Sequence, residues 1–244
     1  MNYTYTKEYN TSYSYIDCTG CLGLVEFMNL NQDMITEFCG SIGSDNATLR
    51  QKNNAAWIYT GTKVVRVDKL PFWNTKTKAV TFVCSRSPIR IELETDLYDE
   101  NDKLLIAAKT EMCAIDLDTR KIRKIDSLEF PQDLEVVKTN MEDSFSKLNT
   151  EFEDADKVYM QEVYAGDTDF TRHTNNVRYV SFIMNTFDSV FYDEMTIRGF
   201  EIRFVRESKE KDILAVYKKK NTDGGYDFVI NKEDEVVVKA RMSF

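Results

Sequence analysis

The sequence contains little proline, glycine and histidine. Only 3 prolines, 9 glycines and 1 histidine occur in 244 residues, while 42% of the residues are hydrophobic. This composition excludes a largely disordered protein and predicts a folded chain with a sizeable core. The 13 tyrosines and 15 phenylalanines favour sheet, because aromatic residues are enriched in strands.

The sequence also lacks a long apolar run. No stretch approaches the roughly 20 apolar residues that a membrane-spanning helix needs. The first residues have no basic region followed by an apolar one, so we expect no signal peptide and a cytoplasmic location. The 5 scattered cysteines agree with reduced thiols there. Cys18 and Cys21 have the spacing of half a zinc site or of a redox pair, but no second ligand pair accompanies them, so we expect neither.

Acidic residues outnumber basic ones, 41 to 32. The net charge is −9, and residues 126–156 contribute −8 of it through ten acids and two lysines. Because no basic face is apparent, the sequence argues against nucleic-acid binding. The acidic segment also contains Pro131. We interpret it as a connector with a helical turn or two that lies over the surface between residues 1–125 and 157–244.

Each half has the same predicted order of a strand, a helix and several strands. The first helix is expected from about Gly20 to Ile42, ended by Gly43, and the second from about Asn175 to Ser189. The polar positions of each helix form a narrow stripe, so both helices should be enclosed on most sides. The strands expected after the helices are 56–67, 75–84, 89–98, 104–115, 197–206, 213–218, 226–230 and 235–243.

A long helix wrapped by a curved antiparallel sheet is the arrangement of the hotdog fold. The sequence therefore predicts an α+β protein with two hotdogs in tandem. A short internal match supports duplication, because Asp17–Cys21 precedes the first helix and Asp169–His173 precedes the second at an offset of 152 residues. Cys21 then occupies the position of His173, which leaves one polar cluster per chain. Coincidence is the alternative for so short a match.

The densest polar cluster of the chain surrounds its only histidine. In an extended segment residues two apart share a face, so Asp169, Thr171 and His173 should point together toward the second helix. A carboxylate, a hydroxyl and an imidazole can polarise a water, and N–H groups near Asn175 and Asn176 can hold an oxyanion. This combination suits acyl transfer to water. The alternative is a capping loop with an exposed histidine.

The same residues resemble the signature of the acyl-ACP thioesterase family. Segment 169–179, Asp-Phe-Thr-Arg-His-Thr-Asn-Asn-Val-Arg-Tyr, is similar to the family's Asp-x-Asn-x-His-Val-Asn-Asn-x-Lys-Tyr. The strand at 201–208 is similar to its Glu-Tyr-Arg-Arg-Glu-Cys region. In the first half, a long helix ended by glycine, a strand opened by Trp57 and the turn at 71–73 fit the same family.

The resemblance implies hydrolysis of fatty acyl-ACP thioesters to free fatty acid and holo-ACP, without a metal or another cofactor. It gives His173 and Asp169 the roles of the family's active-site histidine and aspartate, and Glu207 that of a water-activating carboxylate. Ser208 falls where many members have cysteine, so a covalent thioacyl intermediate is not expected. Thr171 falls where the family usually has asparagine. Whether Glu207 or Asp169 takes the proton from water is left open.

The implied partner is acyl carrier protein (ACP), an acidic protein with a phosphopantetheine-linked acyl chain. We expect the first hotdog on the acyl-chain side, and pairing of sheet edges would give a homodimer. Two groups of basic residues are candidates to meet the carrier: Lys218–Lys220, and Lys121, Arg123 and Lys124.

Several other functions are compatible with the sequence. The chain could be an acyl-CoA thioesterase of the same fold, a non-catalytic acyl-binding hotdog or, with less support, a dehydratase hotdog. The strand that carries Glu201, Arg203 and Glu207 could also be an exposed, charge-paired face without a catalytic role.

Overall fold

The computed structural model describes residues 3–141, 144–148 and 151–244. The chain divides into two compact units, Met1–Asp143 and Ser144–Phe244. Each unit combines an antiparallel sheet with helices, which confirms the predicted α+β class. Among the described residues, no helix is both long and apolar enough to cross a membrane.

The first unit is an antiparallel sheet with one long helix against it. The strands follow the order β1-β3-β4-β5-β2, with β6 beside β5. Helix α1 contacts β1, β3 and β4, and the shorter α2 contacts β2. The elements are β1 (Tyr5–Asn10), α1 (Leu24–Ser41), α2 (Asn46–Asn53), β2 (Ala55–Arg66), β3 (Lys76–Arg86), β4 (Ile91–Asp99), β5 (Leu104–Asp116) and β6 (Ile122–Arg123).

Helix α1 is enclosed on most sides, as its apolar pattern predicts. Phe27, Met34 and Phe38 are fully buried, and the exposed positions form a narrow stripe of Asn29, Asp33, Thr36, Gly40 and Ser41. The helix begins later than expected, because residues 20–22 belong to a turn and Gly23 is the N-cap. It ends where predicted, since Gly43 adopts a left-handed φ of 68° that favours glycine.

The second unit repeats this plan with shorter helices. Its antiparallel strands follow the order β8-β11-β10-β9-β7. The single helix predicted from Asn175 to Ser189 is wrong, because Asp188 starts a separate helix by accepting from the Phe191 N–H at 3.1 Å. The elements are β7 (Lys157–Glu162), α3 (Asn176–Met184), α4 (Ser189–Glu194), β8 (Gly199–Phe204), β9 (Ile213–Lys220), β10 (Tyr226–Lys232) and β11 (Glu235–Ser243).

The acidic segment 126–156 is partly integrated into the core. Leu128 and Phe130 pack in the core of the first unit, and Met141 and Leu148 are also buried, so the segment does not simply lie over the surface. The division between the units falls inside it, and its residues 142–143 and 149–150 lie outside the described part of the chain. The domain bounds 1–125, 126–156 and 157–244 stay predictions.

Residues 137–141 of this segment form a strap over two buried carboxyl groups of β4, Glu94 and Asp96. Asn140 donates from its N–H to Glu94 Oε1 at 2.8 Å and from Nδ2 to Asp96 Oδ2 at 2.6 Å. The Lys109 Nζ donates to the Met141 carbonyl at 2.7 Å. Burial raises the pKa of both carboxyl groups above the ordinary values.

Candidate active site

The predicted polar cluster lies on a tight turn in front of α3. The Asp169 N–H donates to the His173 carbonyl at 2.9 Å, and the Arg172 N–H donates to the Asp169 carbonyl at 2.9 Å. Arg172 closes the turn with a left-handed φ of 64°. The extended conformation expected for this segment is therefore wrong, although the turn still brings the expected side chains together.

Four predicted residues form one line of polar contacts. Asp169 Oδ1 accepts from the Thr171 N–H at 2.7 Å and from Thr171 Oγ1 at 2.6 Å. Thr171 Oγ1 lies 3.0 Å from His173 Nδ1, and His173 Nε2 lies 3.3 Å from Glu207 Oε2. The side chains of His173 and Glu207 are 24% and 42% exposed, so the far end of this line is open to a water or a ligand.

The contacts assign the proton positions on the imidazole. An ionised carboxylate can only accept, so the single proton of the Thr171 hydroxyl points to Asp169. Thr171 Oγ1 must then accept at its other contact, which places a proton on His173 Nδ1. The remaining nitrogen, Nε2, faces Glu207. In the neutral ring this nitrogen has no proton and can accept a hydrogen bond from a water or a substrate group.

The start of α3 supplies one uncommitted N–H near this site. Asn175 is the N-cap, and its Oδ1 accepts from the Val177 N–H at 2.9 Å. Its own N–H donates to the Asp167 carbonyl at 2.9 Å, so that donor is not available to a substrate oxygen. The Asn176 N–H has no hydrogen-bond acceptor among the described residues, as is usual for the first helical residue.

A buried group of hydroxyls anchors the segment that follows Glu207, and sequence reasoning missed it. Ser208 is 1% exposed, and its Oγ lies 2.6 Å from Thr174 Oγ1 and 2.8 Å from the Tyr179 OH. The Thr174 N–H donates to the Ser208 carbonyl at 2.8 Å. Thr174 and Tyr179 both lie within the quoted motif, but nothing in their spacing indicates a shared partner 29 to 34 residues later.

A turn with the same hydrogen bonds precedes α1 in the first unit. The Asp17 N–H donates to the Cys21 carbonyl at 2.9 Å, and the Gly20 N–H donates to the Asp17 carbonyl at 3.0 Å. Thr19 Oγ1 donates to Asp17 Oδ1 at 2.6 Å. Residues 16 and 22 pair as residues 168 and 174 do. The structural repeat at an offset of 152 residues supports the duplication inferred from sequence.

Comparisons with known proteins identify the family and the fold of the chain. A family profile described as the acyl-ACP thioesterase N-terminal domain matches residues 2–129, and the corresponding C-terminal domain profile matches residues 148–244. The acyl-[acyl-carrier-protein] hydrolase FATB3, chloroplastic, of Cuphea viscosissima is 20% identical over 205 residues. That match includes 77% of this chain and 48% of the relative, so the chain spans about half the length of the curated relative.

Two solved structures share the fold over nearly their whole length. An acyl-ACP thioesterase from Bacteroides thetaiotaomicron is 21% identical, with 98% of this chain and 96% of that chain covered at a TM-score of 0.82. The 12:0-ACP thioesterase from Umbellularia californica is 16% identical, with 98% and 96% covered at a TM-score of 0.81. The tandem hotdog prediction is thereby confirmed. Because the two family profiles cover most of the sequence, the chain belongs to the acyl-ACP thioesterase family.

Proposed function

We propose that the protein hydrolyses fatty acyl-ACP thioesters to free fatty acid and holo-ACP by direct attack of water. The observation that carries the proposal is the unbroken line of contacts from Asp169 through Thr171 and His173 to Glu207. Family membership supports the substrate class. A non-catalytic acyl-binding hotdog would have no use for an imidazole whose tautomer is fixed on one side and whose other nitrogen faces a carboxylate.

The geometry favours Glu207 over Asp169 as the group that takes the proton. Asp169 Oδ1 already accepts two hydrogen bonds from Thr171, so this carboxylate orients the other side chains of the line. We call the four residues Asp169, Thr171, His173 and Glu207 the relay. Glu207 lies at the open end of the line, next to His173 Nε2. In the proposed reaction Nε2 hydrogen-bonds the attacking water and Glu207 accepts its proton.

The water oxygen then bonds to the thioester carbon, and the carbonyl oxygen becomes an oxyanion. The Asn176 N–H at the start of α3 is the proposed donor to that oxyanion. Collapse of the intermediate breaks the carbon–sulfur bond and releases a thiolate. A thiol has a solution pKa of about 8.5, so it leaves with little acid assistance. The proton held by the Glu207–His173 pair returns to the sulfur, which balances the hydrolysis.

Ser208 is not the nucleophile in this proposal. Its hydroxyl is buried and engaged by Thr174 and Tyr179. Burial raises the pKa of Tyr179, which keeps the phenol protonated within the group. We therefore expect Ser208→Ala to retain most of the activity. Loss of activity equal to that of Glu207→Gln, or a burst of thiol release that depends on Ser208, would replace the direct-water mechanism with a serine nucleophile.

The proposal is tested by thiol release from acyl-ACP and acyl-CoA thioesters of graded chain length. The wild type should hydrolyse acyl-ACP, and His173→Ala and Glu207→Gln should each lower kcat by about 10²- to 10⁴-fold, the range for a general acid–base group. Equal, negligible turnover by all three proteins would favour the non-catalytic acyl-binding hotdog. Faster turnover of acyl-CoA than of acyl-ACP would favour an acyl-CoA thioesterase.

A further inference from the structure

The carboxylate at the open end of the relay lies on a segment without regular structure. Strand β8 ends at Phe204, and Glu207 follows after two residues that continue the chain outside the strand. The side chain of Glu207 is 42% exposed, so packing constrains it only in part. The position of this carboxylate relative to His173 therefore depends on how the backbone next to it is held.

Two hydrogen bonds hold the backbone of the next residue, Ser208. Its carbonyl accepts from the Thr174 N–H at 2.8 Å, and its N–H donates to the Tyr179 phenol oxygen at 3.2 Å. Among the residues that the structure describes, this phenol is the only acceptor of that amide. Both Ser208 and Tyr179 are buried, so water does not replace the bond. Because a buried N–H without an acceptor is costly, the phenol determines where the amide lies.

Tyr179 is itself held firmly on α3. It lies one turn after Asn176, whose N–H is the proposed oxyanion donor. The ring packs edge-on against Phe182 and tilted against Phe204, with centroids 6.2 Å apart in each pair. Helix α3 thus connects the proposed oxyanion donor to the backbone beside Glu207 through one fixed side chain.

The first unit lacks the donor of this hydrogen bond. There the Leu22 N–H donates to the Pro71 carbonyl at 2.9 Å, which is the counterpart of the bond from Thr174 to Ser208. Pro71 therefore takes the place of Ser208, and a proline has no backbone N–H to satisfy.

The first unit lacks the acceptor as well. At the offset of 152 residues Tyr179 corresponds to Phe27 of α1, which is fully buried. The unit with an amide has a hydroxyl that accepts from it, and the unit without the amide has a phenyl ring. Leu70, which precedes Pro71, stands in the place of Glu207. The hydroxyl thus accompanies the carboxylate, whereas the repeated fold accommodates a phenyl ring at the same position.

We propose that Tyr179 is a positioning residue that holds the Glu207 carboxylate beside His173 through its hydrogen bond to the Ser208 amide. This inference rests on the proposed function, because it concerns the base of the same reaction. Without the phenol, the buried amide must turn toward another acceptor, and the adjoining Glu207 moves with it. A displacement of about 1 Å in a catalytic site can lower the rate by as much as ~10²-fold.

The test compares Tyr179→Phe with the wild type and with a matched control, Tyr159→Phe. Tyr159 belongs to the same unit, and its hydroxyl donates to the Phe182 carbonyl of α3 at 2.6 Å. The control therefore removes a hydroxyl that binds the same helix nearer its other end. Ser208→Ala is a second control, because it removes the side-chain oxygen and keeps the amide. Hydrolysis of acyl-ACP gives kcat and KM, and denaturant unfolding shows whether each variant is folded.

We expect Tyr179→Phe to lower kcat by about 10-fold and to change KM by less than about 2-fold, because the phenol acts on the chemical step rather than on binding. In the Glu207→Gln background the same substitution should change kcat by less than about 2-fold, since Tyr179 acts through that carboxylate. Tyr159→Phe and Ser208→Ala should each retain most of the activity. A loss that persists in the Glu207→Gln background, or an equal loss by Tyr159→Phe, would show that Tyr179 only stabilises the fold.

A measurement without turnover separates this inference from the proposed function. His173 is the single histidine of the chain, so its imidazole nitrogens give one pair of NMR signals. Tyr179→Phe should move these signals toward those of Glu207→Gln, and Tyr159→Phe should leave them in place. If the wild type hydrolyses no thioester but the signals move in this way, the positioning role stands and the hydrolytic function fails. If Tyr179→Phe leaves the signals unchanged, the positioning role is overturned whatever the turnover.

Discussion

The two turns that precede α1 and α3 have nearly the same backbone and very different chemistry. Both close with the same pair of N–H to carbonyl bonds, and in both a threonine hydroxyl donates to an aspartate at 2.6 Å. The aspartate–threonine contact is therefore a property of the repeated fold. What distinguishes the second turn is His173 in place of Cys21, with Glu207 beside it. The comparison therefore indicates that His173 and Glu207, rather than the aspartate–threonine contact, are specific to the proposed site.

The largest expected effect comes from removing the same hydroxyl in each turn. Thr171→Val and Thr19→Val each delete one bond to aspartate, so both should lower the free energy of unfolding by about 1 kcal/mol. Only Thr171→Val should lower kcat, by about 10²-fold, because only that hydroxyl fixes the tautomer of an imidazole. Steady-state kinetics and denaturant unfolding of the two variants measure the difference.

Thr171→Ser, which keeps the hydroxyl, is the control and should restore most of the activity. Equal activity of Thr171→Val and Thr19→Val would mean that the contact near His173 is as structural as its counterpart.

A second test exchanges the residue type at the left-handed position of each turn. Gly20→Ala should lower the free energy of unfolding by about 1–2 kcal/mol, because φ is 77° and a Cβ would lie 2.6 Å from the exposed Phe72 ring. Arg172→Gly should not lower it, since glycine relieves the strain at a φ of 64°. Thermal or denaturant unfolding measures both. Destabilisation by Arg172→Gly would show that the arginine stabilises the fold.

The smallest expected effect concerns buried carboxyl groups. In the second unit a buried carboxylate is paired with an arginine, whereas in the first unit two carboxyl groups are buried together. In the second unit Asp227 is paired with Arg241 at 2.7 and 3.0 Å. In the first unit Glu94 and Asp96 lie together under the strap, with Lys109 and Cys84 nearby, and burial raises the pKa of both carboxyl groups. An unfolded carboxyl group ionises near pH 4. The folded pair retains protons to higher pH, so stability falls as the pH rises through the folded pKa.

Glu94→Gln should therefore flatten this fall above about pH 4, because the amide is neutral throughout and can donate to Asp96. Denaturant unfolding at several pH values measures the slope. Parallel curves for the variant and the wild type would mean that Glu94 is already ionised under the strap.

The sequence predicted the elements that bury a continuous apolar face and missed those that do not. Helix α1 and the main strands were recognisable from their periodicity. Helix α2 buries only Leu49, and its signal was the capping residue Asp45, which accepts from the Ala47 and Thr48 N–H groups. The end of α3 was missed for a similar reason. The apolar pattern continues through Phe187, although the helical bond from Asn185 to Ser181 is followed by three-residue bonds, in which the Phe187 N–H donates to the Met184 carbonyl at 3.1 Å.

In the site, contacts between residues close in sequence could be predicted, and contacts between distant residues could not. Asp169, Thr171 and His173 are close in sequence, so their proximity could be predicted, although the turn that joins them could not. Glu207 lies far along the chain and was placed by resemblance to a family. The bridge from Lys209 to His173 and the burial of Ser208 depend on how β8 leaves the sheet. Tertiary packing alone determines those contacts.

The hydroxyl at Ser208 also affects how the protein should respond to oxidants. Thiols progress through sulfenic to sulfinic and sulfonic acids, whereas a serine does not enter this series. Every side chain of the relay and of the hydroxyl group beside it ends in oxygen or nitrogen. The exposed thiol of the chain, Cys18, belongs to the turn without an imidazole. We therefore expect peroxide to oxidise Cys18 and to leave the four side chains from Asp169 to Glu207 chemically intact.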